Sequence, residues 1–369
     1  MIMTSLKRHA ILPLLALASA LPATSSGQGK DAGARMERVA DGVYAIIHEN
    51  ATEEWPNSNT GVIVGEDGVL VVDATYLPSR ARADIALIRT ITDKPVRYLV
   101  ITHLHRDHTG GAVAYRDAFP GVHVITGPET REFIAVNRPA TSRATAAPES
   151  PQRKTLARLE AALANGRDSS GRPYSAATIA ALTRNVAERK GELAEMSVIQ
   201  TIVPDLTFND RLELYLGSRQ IELRNRGRAN SPDDVTIYDT KERVMFTGDI
   251  VVQAPLPYTG ATWPAEWSAV LRDIDGTPTT AIVPGHGPVM RDHSYINAMR
   301  VLIDNVRLQV AAMLNKGGMS LDQIQNAIDV GQLRSASPVW NTPDIDSEDW
   351  RVTIRALVER TWHEVRGLD

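Results

Sequence analysis

Three histidines and an aspartate fall within six consecutive positions of this chain, directly after a short apolar run. The run is typical of a buried strand, and a polar loop rich in metal-binding groups follows it: Tyr98-Leu99-Val100-Ile101, then Thr102-His103-Leu104-His105-Arg106-Asp107-His108-Thr109-Gly110-Gly111. Imidazole and carboxylate groups this close together need a cation between them, and zinc is the ion that this mixture of ligands suits best. The loop therefore predicts a divalent metal site at the carboxyl end of a strand. The alternative is a polar loop that is rich in histidine by chance, in a chain with 9 His among 369 residues.

The amino-acid composition limits both the residue types that can bind a metal and the classes of partner that the chain can bind. The chain contains no cysteine, so disulfides and cysteine-ligated zinc are excluded, and only imidazole, carboxylate and amide ligands remain. Its formal net charge is −4, without the basic excess typical of proteins that bind nucleic acid. A small-molecule substrate is therefore the expected partner.

The N-terminus has the pattern of a cleavable secretory signal peptide over residues 1–20. Lys7-Arg8 precede a short apolar stretch, which ends in small residues at Ala18-Ser19-Ala20. We expect residues 21–35 to be a flexible lead and the mature protein to be periplasmic or secreted. The alternative is a retained membrane anchor, although the apolar stretch is short for a bilayer span. No later segment of the sequence is apolar enough to cross, so we expect no stable membrane insertion after processing.

The rest of the chain predicts an α+β domain over residues 36–300, followed by a helical extension over 301–369 that packs on the core. Apolar side chains at helical spacing over 79–92 are followed by the strand at 96–101, which makes a βαβ step. Ligands usually bind beyond the carboxyl ends of such strands, where the histidine loop falls. Residues 130–200 predict a helical insertion with helices near 151–163 and 175–196. We interpret the insertion as a lid over the site, a homodimer interface or a plain structural hairpin.

Two further polar residues follow apolar strands in the same way as the histidine loop does. Asp249 comes after the run 244–247 and Gly248, and His286 comes after the run 281–284 and Gly285. A glycine before each residue allows the tight turn that brings the next side chain over the sheet edge. Alone, Asp249 is explained as an ordinary cap and His286 as a surface histidine. Together with the loop, they are predicted to be additional metal ligands.

These motifs resemble those of the metallo-β-lactamase superfamily of metal-dependent hydrolases. The resemblance spans roughly residues 36 to 286, interrupted by the helical insertion, and rests on three stretches: His103-x-His105-x-Asp107-His108 with Thr109-Gly110-Gly111, then Phe246-Thr247-Gly248-Asp249, then Pro284-Gly285-His286-Gly287. It implies a four-layer αββα sandwich with a two-metal site at one edge. By position, it implies that one metal is held by His103 and His105. It likewise implies that the other is held by Asp107, His108 and His286, with Asp249 as the bridge.

One position departs from the family's pattern. The family usually supplies a further histidine before the bridging aspartate, where this chain has Asn230 within the stretch 227–234. An amide oxygen is a much weaker zinc donor than imidazole, so Asn230 is expected to be a weak or water-mediated ligand of the first site. The chain then binds one tight zinc ion, or two at high zinc supply. His123 and His293 are possible substitutes, but each is explained more simply as a strand or helix-cap residue.

The resemblance implies hydrolysis by a metal-activated water, acting on an ester, lactone, thioester or amide bond. Asp107 is the candidate catalytic residue, which orients the water and carries its proton, or else it is a purely structural ligand. Tyr258 and Arg228 are candidate substrate residues, through a hydrogen bond and an anion contact respectively. The alternatives are a β-lactamase-like amidase, and a catalytically weak metal-binding accessory protein of an exported oxidoreductase system.

Overall fold

Two β-sheets lie face to face in the computed structural model, which describes residues 34–48, 57–147, 149–168, 170–253, 256–343 and 345–368. The predicted signal peptide and nearly all of the predicted lead lie outside the described residues. The first strand begins at Arg35, one residue before the predicted start of the domain. Among the described residues, none of the helices has the length and apolar character needed to cross a bilayer.

The first sheet contains seven strands whose spatial order follows the sequence. They are β1 Arg35–Ala40, β2 Val43–Ile47, β3 Thr60–Val64, β4 Val69–Val72, β5 Val96–Val100, β6 His123–Thr126 and β7 Leu206–Thr207. Strands β1 to β4 pair in antiparallel fashion, and β4 to β7 pair in parallel. The carboxyl ends of the parallel strands β4 to β7 therefore lie at one edge of the sheet. The loop after β5 lies beyond that edge.

The second sheet contains five strands in the order β12-β11-β10-β9-β8. They are β8 Arg211–Leu216, β9 Arg219–Asn225, β10 Val235–Asp239, β11 Val244–Phe246 and β12 Ala281–Val283. Only β11 and β12 are parallel within this sheet. Their carboxyl ends consequently point to the same edge, and each is followed by one of the predicted ligands.

Helices cover both outer faces. They are α1 Pro78–Ile88, α2 Arg106–Thr109, α3 Ala112–Ala118, α4 Pro128–Ala146, α5 Pro151–Asn165, α6 Ala176–Val198, α7 Pro264–Asp275, α8 Ser294–Asn315, α9 Leu321–Ala327, α10 Val330–Ser335 and α11 Ser347–Val365. The outer face of the first sheet packs on α1 and α3, and that of the second sheet packs on α7, α8 and α11. The expected α+β class and the four-layer αββα sandwich are confirmed.

Alternation along the strands explains the layering. Val100 and Phe246 face the interior between the sheets, whereas their neighbours Leu99 and Met245 face the helices. The period of two residues sends successive side chains to opposite faces of a strand. Gly61 in β3 brings the sheets close, because a Cβ atom there would lie 2.5 Å from the ring of Phe246.

The region 130–200 contains three helices where two were predicted. Helices α5 and α6 match the expectation, and Ser150 and Ser175 cap their N-termini. Helix α4 is the addition, and Asp233 accepts hydrogen bonds from the backbone N–H groups of Glu129 and Thr130 in its first turn. That capping residue is over one hundred positions away along the chain, so a local pattern did not reveal it. A homodimer through these helices stays a prediction.

The boundary predicted at residue 300/301 falls within a helix. Helix α8 runs from Ser294 to Asn315 and crosses the boundary without interruption. Its buried residues and those of α11 belong to the same apolar cluster as Trp267 in α7. The C-terminal helices are therefore part of the outer layer on the second sheet.

Arg219 joins the two sheets at the start of β9. Its guanidinium donates to the backbone oxygens of Val64 and Asp41 at 3.0 and 2.8 Å, and its Nε donates to the buried carboxylate of Asp239. Both partners of the ion pair are almost fully buried. Removal of one partner would leave an uncompensated charge inside the protein.

We expect Arg219→Leu to lower the free energy of unfolding by about 3 to 5 kcal/mol, because Asp239 then loses its buried counter-charge. Urea denaturation measures the change. The matched control is Arg351→Leu in α11. Arg351 pairs with Glu348 on the exposed surface, so this substitution should leave the free energy of unfolding nearly unchanged. Equal losses in the two variants would contradict a bridging role for Arg219.

Candidate metal centre

Three strand ends supply the side chains of the candidate site. The loop after β5 carries His103 and His105 and continues into the short helix α2. Asp249 lies in a 3-10 turn after β11, and His286 follows β12. The two sheets meet here, since the backbone N–H of Val235 donates to the backbone oxygen of Thr102 at 2.9 Å. All six predicted His and Asp ligands converge at this edge.

The larger group consists of four buried side chains whose ligand atoms lie within 4.8 Å of one another: Asp107, His108, Asp249 and His286. His286 Nε2 lies 3.0 Å from Asp107 Oδ2. Asp249 Oδ1 lies 3.2 Å from His108 Nε2 and 3.4 Å from His286 Nε2. This group can hold a metal ion between two imidazoles and two carboxylates.

The smaller group consists of His103, His105 and the same Asp249. His103 Nε2 lies 2.8 Å from His105 Nδ1 and 3.6 Å from Asp249 Oδ2. The two oxygens of Asp249 thus face different groups, Oδ1 the larger and Oδ2 the smaller. That geometry fits a carboxylate shared by two ions.

The pKa shifts of the buried histidines show that the carboxylates of the site favour positive charge. Burial lowers the pKa of His103 well below its usual value, and His108 lowers it further. His108 is equally buried, and burial opposes its protonation. Its pKa is nevertheless raised well above the usual value, because three carboxylates surround it. These carboxylates belong to Asp249, Asp73 and Asp107.

The carboxylates show the complementary shift. Burial alone would raise the pKa of Asp107 and of Asp249, but the positive charge of the facing histidines lowers both. Burial would lower the pKa of His286, but Asp249 and Asp107 raise it. A divalent cation supplies the same positive charge once the imidazoles are deprotonated.

Buried polar atoms that lack a hydrogen-bond partner show whether a cation fits the site. His108 Nε2 and Asp249 Oδ1 are fully buried, and neither has a hydrogen-bond partner among the described residues, although they lie 3.2 Å apart. Buried polar atoms are rarely left in this state. Both atoms belong to the set that converges on the larger group, so the residues present fit a bound metal.

Asp73 is a functional residue that the sequence analysis missed. Its Oδ2 lies 2.7 Å from His108 Nδ1, and its carboxylate accepts hydrogen bonds from the backbone N–H and the hydroxyl of Thr102. A carboxylate on the outer nitrogen of a ligating histidine orients the ring and selects its tautomer. The signal was present, since Asp73 directly follows the apolar strand β4, and Asp249 likewise comes after β11.

Glycine is required before His286 for a steric reason. A Cβ atom at Gly285 would lie 2.0 Å from Asp249 Oδ1. Gly248 has a φ of +51°, in the left-handed region that favours glycine. Gly248 therefore makes the kind of turn that was predicted, whereas Gly285 is required for space beside Asp249.

Asn230 is linked to the smaller group through Tyr258. It is fully buried, and its Nδ2 donates to the backbone oxygen of Tyr258 at 3.0 Å. The Tyr258 ring in turn lies edge-on to His105, with centroids 5.6 Å apart. Asn230 Oδ1 has no hydrogen-bond partner among the described residues. Its role as a weak metal ligand stays a prediction.

The two predicted substrate residues differ in their surroundings. Tyr258 is 52% exposed at the rim, beside His105. Arg228 is engaged elsewhere, because its guanidinium pairs with Glu266 and lies over the ring of Trp263. Both substrate roles stay predictions.

The two remaining candidate histidines have other contacts. His123 is exposed at the start of β6, and His293 is the residue before α8. His293 bonds to Asp275 and Thr279. Within the described ranges, neither histidine belongs to a metal-holding group.

Comparison with known proteins gives one family and one fold. A model described as the metallo-beta-lactamase superfamily matches residues 54–314. A linear primary-alkylsulfatase from Pseudomonas sp. is 23% identical over 269 residues, which are 69% of this chain and 47% of that protein. The chain therefore spans about half the length of this curated relative.

Solved structures share the fold. A metallo-beta-lactamase from Pontibacter korlensis is similar with a TM-score of 0.52 and 18% identity, covering 74% of this chain and 99% of that one. A stereoselective inverting sec-alkylsulfatase from Pseudomonas sp. is similar with a TM-score of 0.60 and 15% identity, covering 89% of this chain and 50% of that one. At these identities the likeness concerns the fold alone.

The shared carboxylate generates a prediction about metal content. We expect Asp249→Asn to remove more bound zinc than either His105→Ala or His286→Ala, because only Asp249 belongs to both groups. Elemental analysis of zinc-loaded, dialysed protein measures the number of ions per chain. His123→Ala is the control and should retain the wild-type content. Equal contents in Asp249→Asn and the two single histidine variants would contradict a shared carboxylate.

Proposed function

We propose that this chain, which belongs to the metallo-β-lactamase superfamily, is a metal-dependent hydrolase that uses zinc to cleave an ester, lactone, thioester or amide bond. The observation that carries the proposal is the pair of buried ligand groups that share Asp249. Imidazole and carboxylate ligands without any cysteine suit zinc among the common divalent ions.

Among these bonds, an ester is the substrate class that we favour. The relative with 23% identity is named as an alkylsulfatase, and an alkyl sulfate is an ester of an inorganic acid. The same chemistry is named in a structural neighbour that covers 89% of this chain. We therefore add alkyl sulfates to the carbon esters and lactones as candidate substrates.

Asp107 has the properties of a residue that orients the attacking water. A bound divalent cation lowers the pKa of a water molecule and polarises the bond to be cleaved. Asp107 Oδ2 lies 3.0 Å from His286 Nε2 and 3.4 Å from His108 Nε2, in the middle of the larger group. Its lowered pKa keeps it ionised near neutral pH, so its oxygens accept a hydrogen bond from the water. The same low pKa makes Asp107 a better orienting group than a proton store.

The substrate is proposed to enter on the side of His105 and Tyr258. His103 and His108 are fully buried, whereas His105 is partly exposed and Tyr258 stands at the rim. The phenol of Tyr258 is then placed to contact the leaving group or the acyl portion of an ester. A role for Arg228 requires that an anionic substrate compete with Glu266 for its guanidinium.

The compartment and the partners are proposals that rest on the sequence. The basic start and apolar stretch of residues 1–20 support an exported protein, and the site supports a small-molecule substrate.

Hydrolysis is tested with a panel of chromogenic carbon esters, lactones, phosphodiesters, a cephalosporin and an alkyl sulfate. We expect turnover of an ester substrate that stops on chelation and returns with zinc. His108→Ala should lower kcat/KM by at least about a hundredfold, the size of effect expected when charge stabilisation is lost. His123→Ala is the matched control and should keep wild-type activity. Tight zinc binding without turnover of any substrate would contradict the proposal and favour the accessory-protein alternative.

The weak first site is tested by restoring an imidazole. We expect Asn230→His to raise the number of tightly bound zinc ions toward two per chain at limiting zinc, because imidazole is the stronger donor. Zinc competition against a chromogenic chelator measures the change. Asn165→His at the end of α5, where the native amide donates to the backbone oxygen of Arg167, is the control for adding a histidine. An unchanged zinc stoichiometry in Asn230→His would contradict the assignment of Asn230 to the first site.

A further inference from the structure

Asn59 holds the loop that carries His286. Its side-chain Nδ2 donates to the backbone oxygens of Pro284 and Gly287, at 2.9 and 2.8 Å. Its backbone N–H donates to the backbone oxygen of Gly285 at 2.7 Å. One residue therefore bonds to three positions that flank His286, from 225 to 228 positions away along the chain. Asn59 is 3% exposed.

The residue before Asn59 contacts the other ligand segment. The hydroxyl of Ser58 donates to the backbone oxygen of Asp107 at 2.6 Å, and Ser58 is fully buried. Ser58 and Asn59 directly precede β3 in the first sheet, whereas His286 follows β12 in the second. The pair thus links the two sheets at the point where their ligands meet.

We propose that Ser58 and Asn59 are positioning residues that set the separation of Asp107 and His286, and with it the zinc affinity of the larger ligand group. The proposal rests on the proposed function in taking zinc as the ion, but it concerns metal binding and does not require turnover. Neither residue is a metal ligand or contacts the reacting atoms in this account. They act through the backbone of the two segments that they hold.

The chemistry of the amide explains why asparagine stands at position 59. A single –NH₂ group has two hydrogens, and each is directed to a different backbone oxygen. Aspartate has the same shape but offers acceptors only, so it would repel both oxygens. Alanine would leave the Pro284 and Gly287 oxygens without this donor inside the protein, and the loop would be free to shift.

The two ligand groups should respond differently. Asp107 and His286 both belong to the larger group, and neither belongs to the smaller group. Loss of the Asn59 side chain should therefore weaken zinc binding in the larger group alone. Partners that orient metal ligands from outside the coordination sphere typically change affinity by roughly tenfold to a hundredfold.

A double-mutant cycle tests this coupling. Metal-free protein is titrated with ZnCl₂ in competition with a chromogenic chelator, for Asn59→Ala alone, His286→Ala alone and both together. We expect Asn59→Ala to weaken the tight site at least about tenfold in the wild-type background. We expect little further loss in the His286→Ala background, because there is no imidazole left to position. Equal losses in the two backgrounds, or no loss in the wild type, would overturn the proposal.

Further variants separate positioning from general damage. Asn59→Asp keeps the size of the side chain and should weaken zinc binding at least as much as Asn59→Ala. Ser58→Ala removes one hydrogen bond and offers a milder change if Asn59→Ala does not fold. Gln325→Ala removes another buried amide, which donates to the backbone of Arg355 away from the site, and should leave zinc affinity unchanged. A similar loss of zinc affinity in Gln325→Ala would also overturn the proposal.

The result of the zinc titrations does not depend on whether the protein hydrolyses a substrate. If the cycle behaves as expected while no substrate of the panel is cleaved, the positioning role stands and the proposed function fails. If substrates are cleaved while Asn59→Ala leaves the tight site intact, the proposed function stands and the positioning role fails.

Discussion

The carboxylate of Asp249 is the interaction on which the rest of the site depends. Its Oδ2 faces His103, whereas its Oδ1 faces His108 from the same loop and His286 from a distant part of the chain. A buried carboxylate among histidines is costly unless positive charge balances it, either as protons on the imidazoles or as bound cations. Because Asp249 belongs to both ligand groups, its position determines whether one ion or two can be held.

The pairing of the strands brings these charged side chains together at one edge of the sandwich. Parallel pairing of β4 with β5 and of β11 with β12 turns their carboxyl ends to one side. Glycine at 285 leaves room for the Asp249 carboxylate, and Asp73 orients the His108 ring from behind. Gly285 and Asp73 serve the geometry of the cation site, and neither belongs to an apolar core cluster.

Much of this arrangement follows from local sequence patterns. The histidine loop, Asp249 and His286 each come after an apolar run, and a glycine directly precedes Asp249 and His286; this pattern is what predicted them as ligands. The four-layer architecture followed from the family resemblance of the same stretches. Tyr258 was predicted only as a candidate substrate residue, and its ring lies beside that of His105.

Other features depend on contacts between distant parts of the chain, which no local pattern records. Asn59 bonds to backbone atoms more than two hundred positions away, and its sequence surroundings resemble an ordinary polar loop. Helix α4 is capped by Asp233, again from far along the chain. The engagement of Arg228 by Glu266 likewise appears only once α7 is in place.

The central claim is that zinc ions lie on both sides of Asp249. The most direct measurement is an anomalous difference map at the zinc absorption edge, from crystals of the zinc-loaded protein. The account predicts two peaks flanking the Asp249 carboxylate, about 3.5 to 4 Å apart as in other two-metal sites, with the peak at His103 and His105 the weaker one. A single peak that does not contact Asp249, or ions bound only elsewhere on the surface, would contradict it.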